Sequence, residues 1–185
     1  LVTLNRPKVL NAFNTAMFQQ FRNALAAFGR DPKARVLVIS GAGKAFSSGE
    51  DLAEAQDLLL GEENRQRAYE HVKMLQDITR QMIATPKIII AAINGIAVGV
   101  GAEIAIASDI RIAAKNASFM FAEVKRGLFE TNGVMYLLPR LVGSGRAMEW
   151  MLTGDKISAG DAHKAGLVTR LTGGRQLLGT AIKMA

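Results

Sequence analysis

The sequence predicts an α/β domain with largely parallel strand pairing. Two observations lead there: strand-like and helix-like segments alternate along the chain, and RVLVIS at 35–40 and KIIIAAI at 87–93 read as buried strands. A third, the 49% apolar content of 185 residues, gives enough material for one real core, so residues 1–185 are read as a single domain.

Residues 1–4 form the first strand, turned by Arg6-Pro7. The amphipathic run 14–28 is a helix with Asn14 or Asn11 as its cap. After the strand at 35–40, residues 41–49 make a small-residue loop, and Asp51 is placed to cap a helix starting near Leu52. Helical spacing over 62–83 puts Tyr69, Val72, Leu75, Ile78 and Met82 on one stripe, and Thr85-Pro86 stops it. The strand at 87–93 precedes a helix at 99–108. Strands follow at 109–114, 118–121 and 167–171, with helices near 132–141, 143–153, 158–165 and 174–185. The chain opens without methionine in a strand-like run and stops inside a helical pattern, which reads as a fragment.

Between Lys87 and Asp109 the sole charge is Glu103, inside IIIAAINGIAVGVGAEIAIAS. An ionised carboxylate in such company costs several kcal/mol unless it is hydrogen-bonded or its pKa rises. Glu103 is therefore the first catalytic candidate. Asn94-Gly95 and Glu103 argue against reading this stretch as a membrane span, and a buried strand, a turn and a buried helix fit it better.

With no cysteine, the chain has no disulfide, no thiolate metal site and no Cys nucleophile, and it fits a reducing, cytoplasmic compartment. His71 and His163 stand far apart and no HExxH occurs, so no metal site is expected. The net charge of +7 suits a polyanionic small molecule or nucleic acid. The basic residues are scattered among only eight Phe, two Tyr and one Trp, which disfavours nucleic acid. No signal peptide is recognised.

GAGKAF at 41–46 fails as a phosphate loop, since Val38 stands at the first glycine position and Ala45 follows Lys44. GVGAEI at 99–104 fails as a dinucleotide fingerprint at Ile104. Gly99-Val100-Gly101 at a helix start, and Phe46-Ser47-Ser48-Gly49, can instead offer free amides to a developing oxyanion, or can simply permit tight packing.

Four segments in order resemble the crotonase (enoyl-CoA hydratase/isomerase) superfamily: LNRPKVLNAFN at 4–14, GKAFSSGEDL at 43–52, PKIIIAAINGIAVGVGAEIAIASDIRIA at 86–113, and FAEVKRGLF at 121–129 followed by LPRLVG at 138–143. The resemblance implies a ClpP/crotonase spiral of ββα units lacking the family's last helices, an acyl-CoA thioester substrate, no separate cofactor, and a homotrimer or dimer of trimers. It maps oxyanion amides to Ser48 and Val100 and the paired carboxylates to Glu103 and Glu123. Phe46, Ser47, Gly49, Asp51, Leu52 and Gly99 belong to the implied substrate loops, and Arg6 and Lys8 are expected to meet the CoA phosphates. Asp51 is expected to orient its loop rather than to move protons.

In hydration of a 2-enoyl thioester one carboxylate takes a proton from water attacking C3 and an acid protonates C2. Glu103 is assigned as base and Glu123 as donor; the roles can also be exchanged or shared through one water. Four departures from the family pattern stand out: Val100 for Gly, Ser48 for Ala, Ala122 for Pro, and Glu130-Thr131-Asn132 for a Pro/Gly-rich stretch by the acyl pocket. Isomerase, hydrolase, decarboxylase and ring-cleaving members share the scaffold, as do non-catalytic CoA- or RNA-binding relatives.

Overall fold

A computed structural model describes residues 1–54 and 65–185. Along the chain it forms β1 (Val2–Leu4), α1 (Thr15–Arg30), β2 (Val36–Gly41), β3 (Ala45–Ser47) and α2 (Arg65–Ala84). Then come β4 (Ile88–Ile93), β5 (Ile96–Val98), α3 (Val100–Ala107), β6 (Ile110–Ala114) and β7 (Ser118–Met120). The last part comprises α4 (Val134–Val142), α5 (Ser144–Thr153), β8 (Ile157–Ser158), α6 (Ala159–Lys164), β9 (Arg170–Thr172) and α7 (Leu177–Met184). A 3-10 turn at Glu123–Arg126 precedes α4.

The strands divide into two sheets. One has five strands in the order β1-β2-β4-β6-β9 and the other four in the order β3-β5-β7-β8. All pairings are parallel except β7 with β8. The expected spiral is visible in this order. In β2-β3, β4-β5 and β6-β7 the first strand joins the large sheet and the second joins the small one. Each pair leads on to a helix, α2, α3 or α4, so three ββα units advance side by side. Parallel sheets need both faces covered, and Ile89 to Ile93 of β4 are fully buried accordingly.

Of the two proposed caps, Asn14 takes the role: its Oδ1 accepts from Met17 N–H at 3.0 Å. Asn11 is instead wholly buried, with φ +58°, and its Nδ2 donates to Ala42 O (2.9 Å) and Ala45 O (2.8 Å). It pins the loop ahead of β3 to the first turn. The loop expected at 41–49 holds β3, and β5 and β8 are further strands that periodicity did not reveal. Each has two or three residues and lies beside glycine or in a small-residue stretch, with no alternation to register. The last strand begins at Arg170 rather than at 167, because the Leu167 and Val168 amides both close onto Ala162 O at the end of α6. The start of the helix expected at 62–83, and the continuation of the one near Leu52, lie outside the described residues. Among the described residues no helix is long and apolar enough to cross a membrane.

Phe13, Phe18 and Phe21 anchor α1 to the core, with ring centroids 5.0 and 5.7 Å apart around Phe13. Below α3 lies Arg111, 5% exposed. Its guanidinium donates to Leu167 O at 2.7 Å, to Ala105 O at 3.3 Å and to Ser108 O, collecting the free carbonyls at the C-terminal end of α3. Burial lowers its pKa to about 10, so it stays a cation at neutral pH. Arg111→Met is expected to cost about 3 kcal/mol of stability, because several buried carbonyls lose their donor at once. Chemical denaturation would measure this, with a loss under about 1 kcal/mol contradicting it.

Candidate active site

The site forms where β5 turns into α3. Gly99 makes that turn at φ +49° and ψ −122°, a region side-chain-bearing residues avoid, and its N–H is held by Met120 O at 3.0 Å. Because Gly99 takes the unusual conformation, Val100 begins the helix with ordinary dihedrals; the positive-φ non-glycine residues among those described are Leu10 and Asn11. The bulky residue at 100 is thus compatible with an inward N–H. Every residue of α3 is buried, and its first amides, Val100 included, have no intrahelical acceptor.

Glu103 lies one turn into α3 and is 3% exposed. Glu123 opens the 3-10 turn after β7 and approaches over Gly99, where a Cβ would sit 3.0 Å from its Oε1. Glu130, from the loop before α4, is 5% exposed. Carboxylate oxygens of Glu103, Glu123 and Glu130 lie within 4.8 Å of one another. Asn132 Nδ2 donates to Glu103 Oε2. No Lys, Arg or His among the described residues forms an ion pair with the three acids.

That arrangement controls protonation. Burial first, and the neighbouring Glu123 second, push Glu103 up to about 8, against the opposing pull of Asn132. Burial and the contact with Glu123 push Glu130 up to about 10. The structure brings Glu103 and Glu123, far apart in sequence, to one place. In the sequence, Glu130 and Asn132 stand out only as departures from the family pattern. The available signal was an acid placed directly after the apolar pair Leu128-Phe129.

The glycine loop is placed differently from expectation. Ser48 N–H donates to Leu10 O at 3.0 Å and its hydroxyl to Val9 O at 3.3 Å, so the Ser48 amide is committed within the fold and not free for an oxyanion. Phe46 and Ser47 are fully buried, and Ser47 Oγ bridges Asn11 O (2.8 Å) and Gly49 N (3.1 Å), so both support the loop from behind. Gly49, at φ +94°, packs so closely on the β5 end that a Cβ would stand 2.8 Å from Val98 O. The next amide, Glu50 N–H, makes no hydrogen bond among the described residues and lies beside the turn that leads to Val100. The Glu50 side chain pairs with His71 of α2, whose ring packs edge-on against Phe18.

Arg6 does not reach outward for phosphate: its Nη1 donates to Ala12 O (2.7 Å) and to Asp51 Oδ2 (2.8 Å). Asp51 accordingly orients the loop, and its Oδ1 also accepts from Ala53 N–H at 3.3 Å. Lys8 and Leu52 are exposed on the surface.

A spiral of ββα units with a helix N-terminus and buried carboxyls at its centre defines an established class of protein. The model for that class, enoyl-CoA hydratase/isomerase, matches residues 1–185, and the chain belongs to that family. The 1,2-epoxyphenylacetyl-CoA isomerase of Escherichia coli K12 is 36% identical over 100% of this chain and 70% of its own length. Crotonyl-CoA hydratase of Syntrophomonas wolfei is 38% identical over 98% of this chain and 68% of its own. The crystal structure of enoyl-CoA hydratase from Bacillus anthracis superposes with a TM-score of 0.91 at 36% identity, covering 98% of this chain and 69% of that one. Against enoyl-CoA hydratase of Pongo abelii mitochondria, the chain spans 61% of the relative's length.

Folding stability should carry the mark of the buried acids. In the unfolded chain both titrate near the ordinary 4.5; in the folded protein they hold their protons up to about 8 and about 10. Their contribution is therefore complete below about pH 4.5 and is lost as pH rises through the folded values. The melting temperature is expected to fall between about pH 5.5 and pH 9, and Glu130→Gln should flatten that fall. An unchanged slope in the variant would contradict the assignment.

Proposed function

We propose that this protein adds water across C2=C3 of a 2-enoyl-CoA thioester, giving a 3-hydroxyacyl-CoA. The observation that supports this most directly is the juxtaposition of Glu103 and Glu123, buried together beside the first turn of α3. The thioester oxygen would be held by the N–H groups of Val100 and Glu50, two amides next to the Gly99 turn that have no acceptor among the described residues, in place of the Ser48 amide. A water between the two carboxyls is deprotonated as its oxygen bonds to C3. The C2=C3 electrons move into the enolate, whose charge the amides stabilise, and C2 then takes a proton.

The elevated proton affinity of Glu103 favours the exchanged assignment of roles: Glu103 enters the cycle protonated and gives C2 its proton, while Glu123 takes the proton of water. The proton passes back between the neighbours to restore the starting state. Lys8, exposed on the first turn, supports a contact to the CoA phosphates, and no cofactor besides the substrate's own CoA is needed. A homotrimer or dimer of trimers is in keeping with the family resemblance and with the exposed Met135, Tyr136, Met148 and Leu152 of α4 and α5. Cytoplasmic residence is in keeping with the lack of cysteine.

Hydration of crotonyl-CoA, followed by loss of the enoyl absorbance, tests the proposal. Glu103→Gln and Glu123→Gln should each lower kcat by about 10²–10⁴-fold with the fold intact. Wild-type activity should decline above about pH 8 as Glu103 loses its proton, and Glu103→Gln should lack that limb. Full turnover in either variant would remove the two-carboxyl mechanism. Conversion of a 3-enoyl-CoA without water uptake, and no hydration, would select isomerisation, which needs one carboxyl to carry a proton between C2 and C4.

A further inference from the structure

The third acid has no part in that two-carboxyl scheme, yet it is buried against both partners. Glu123 Oε2 and both oxygens of Glu130 are buried and have no hydrogen-bond partner among the described residues. They are acceptors facing acceptors, within 4.8 Å and with no cation paired to them among the described residues. Three ionised carboxylates cannot coexist there; a proton on one turns an opposed pair into a donor and an acceptor.

We propose that Glu130 is a positioning residue that stays a neutral carboxylic acid and donates a hydrogen bond to Glu123, holding Glu123 ionised and aimed as the base. The inference rests on the hydration reading for its role in turnover, but its protonation state does not depend on it. Glu103 is already supplied with a donor by Asn132, so the donor-poor member of the catalytic pair is Glu123. The burial of Glu130 makes the neutral form the stable one, in line with its raised proton affinity.

Among the described residues Glu130 has no alternative partner. From α3 it meets Glu103, and from the 3-10 turn Glu123. Glu50, after β3, adds negative charge felt at Glu103 and is itself paired with His71 of α2. Further along α2, Asp77 and Arg80 pair with each other, and on α4 Arg140 lies over the Tyr136 ring. The loop carrying Glu130 is tied to α2 through Gln76 Nε2, which donates to Thr131 O at 3.3 Å.

Two variants separate a hydrogen-bond donor from a space-filler. Glu130→Gln keeps an N–H donor in the same shape; Glu130→Leu keeps the bulk alone. In the intact protein with crotonyl-CoA, the acidic limb of the kcat/KM profile should move up by about one pH unit or more in Glu130→Leu, because Glu123 has lost the bond that favours its charge. It should stay within about a third of a unit of wild type in Glu130→Gln. Equal shifts in both variants, or none in either, would overturn the proposal.

A substrate-free readout keeps it testable whatever the reaction proves to be. The infrared carbonyl stretch of buried protonated carboxyls, identified by its shift in D2O, should lose one component at neutral pH in Glu130→Gln. An unchanged spectrum would overturn the assignment, as would Mn²⁺ binding by wild-type protein at neutral pH that Glu130→Gln abolishes, since that requires an ionised trio. Absent crotonyl-CoA turnover with the band difference present would sink the hydration reading and leave Glu130 as the proton holder.

Discussion

Everything at the centre of this fold depends on an excess of acid over countercharge. Glu103, Glu123 and Glu130 share a site to which no basic side chain among the described residues is paired. A cation there would fix all three as carboxylates and remove the difference between donor and acceptor that proton transfer needs. Instead, Asn132 gives a neutral contact to Glu103, and mutual repulsion together with burial keeps protons bound. The basic surplus of the chain is spent elsewhere: Arg6 ties the first turn to Asp51, and Arg111 gathers the carbonyls below α3. Both act on the elements that deliver the acids and amides, from positions behind the site.

Helix α3 shows how sequence and packing combine. Its eight residues are all buried, so its position cannot be adjusted without disturbing the core. Gly99 sets its direction at one end and Arg111 collects its carbonyls at the other. The result is a short rigid piece whose first amide and one carboxyl face the same turn. Preorganisation of this kind counts for more than any single contact energy, since donors already in place need no rearrangement as charge develops.

Much of this was legible in the residues. A lone acid in a long apolar run announced Glu103, and the alternation of strand and helix signals gave the parallel α/β class. The strands Ala45–Ser47 and Ile96–Val98 were not legible, because each sits among glycines in a small-residue stretch with no alternation to mark it. Their identity comes from parallel partners far along the chain, a non-local property. The Ser48 assignment failed for a related reason. Which amide of a glycine loop is free depends on where the preceding backbone goes, and here Leu10 claims Ser48. Glu130 was visible as an odd residue, but its meeting with Glu123 is set by the course of the chain between the 3-10 turn and α4.

The three ββα units also divide labour in a way that bears on how such a protein diversifies. The first unit contributes the Gly49–Glu50 loop, the second the Gly99 turn with Glu103, and the last Glu123, Glu130 and Asn132. The glycine turns thus come from the earlier repeats, and two of the three clustered acids hang on one later connection between β7 and α4. Exchanging residues in that connection rewrites the set of clustered acids while leaving the Gly49 and Gly99 turns to other parts of the chain. One surface-to-core crossing can therefore be edited without moving either of the backbone turns that precede it.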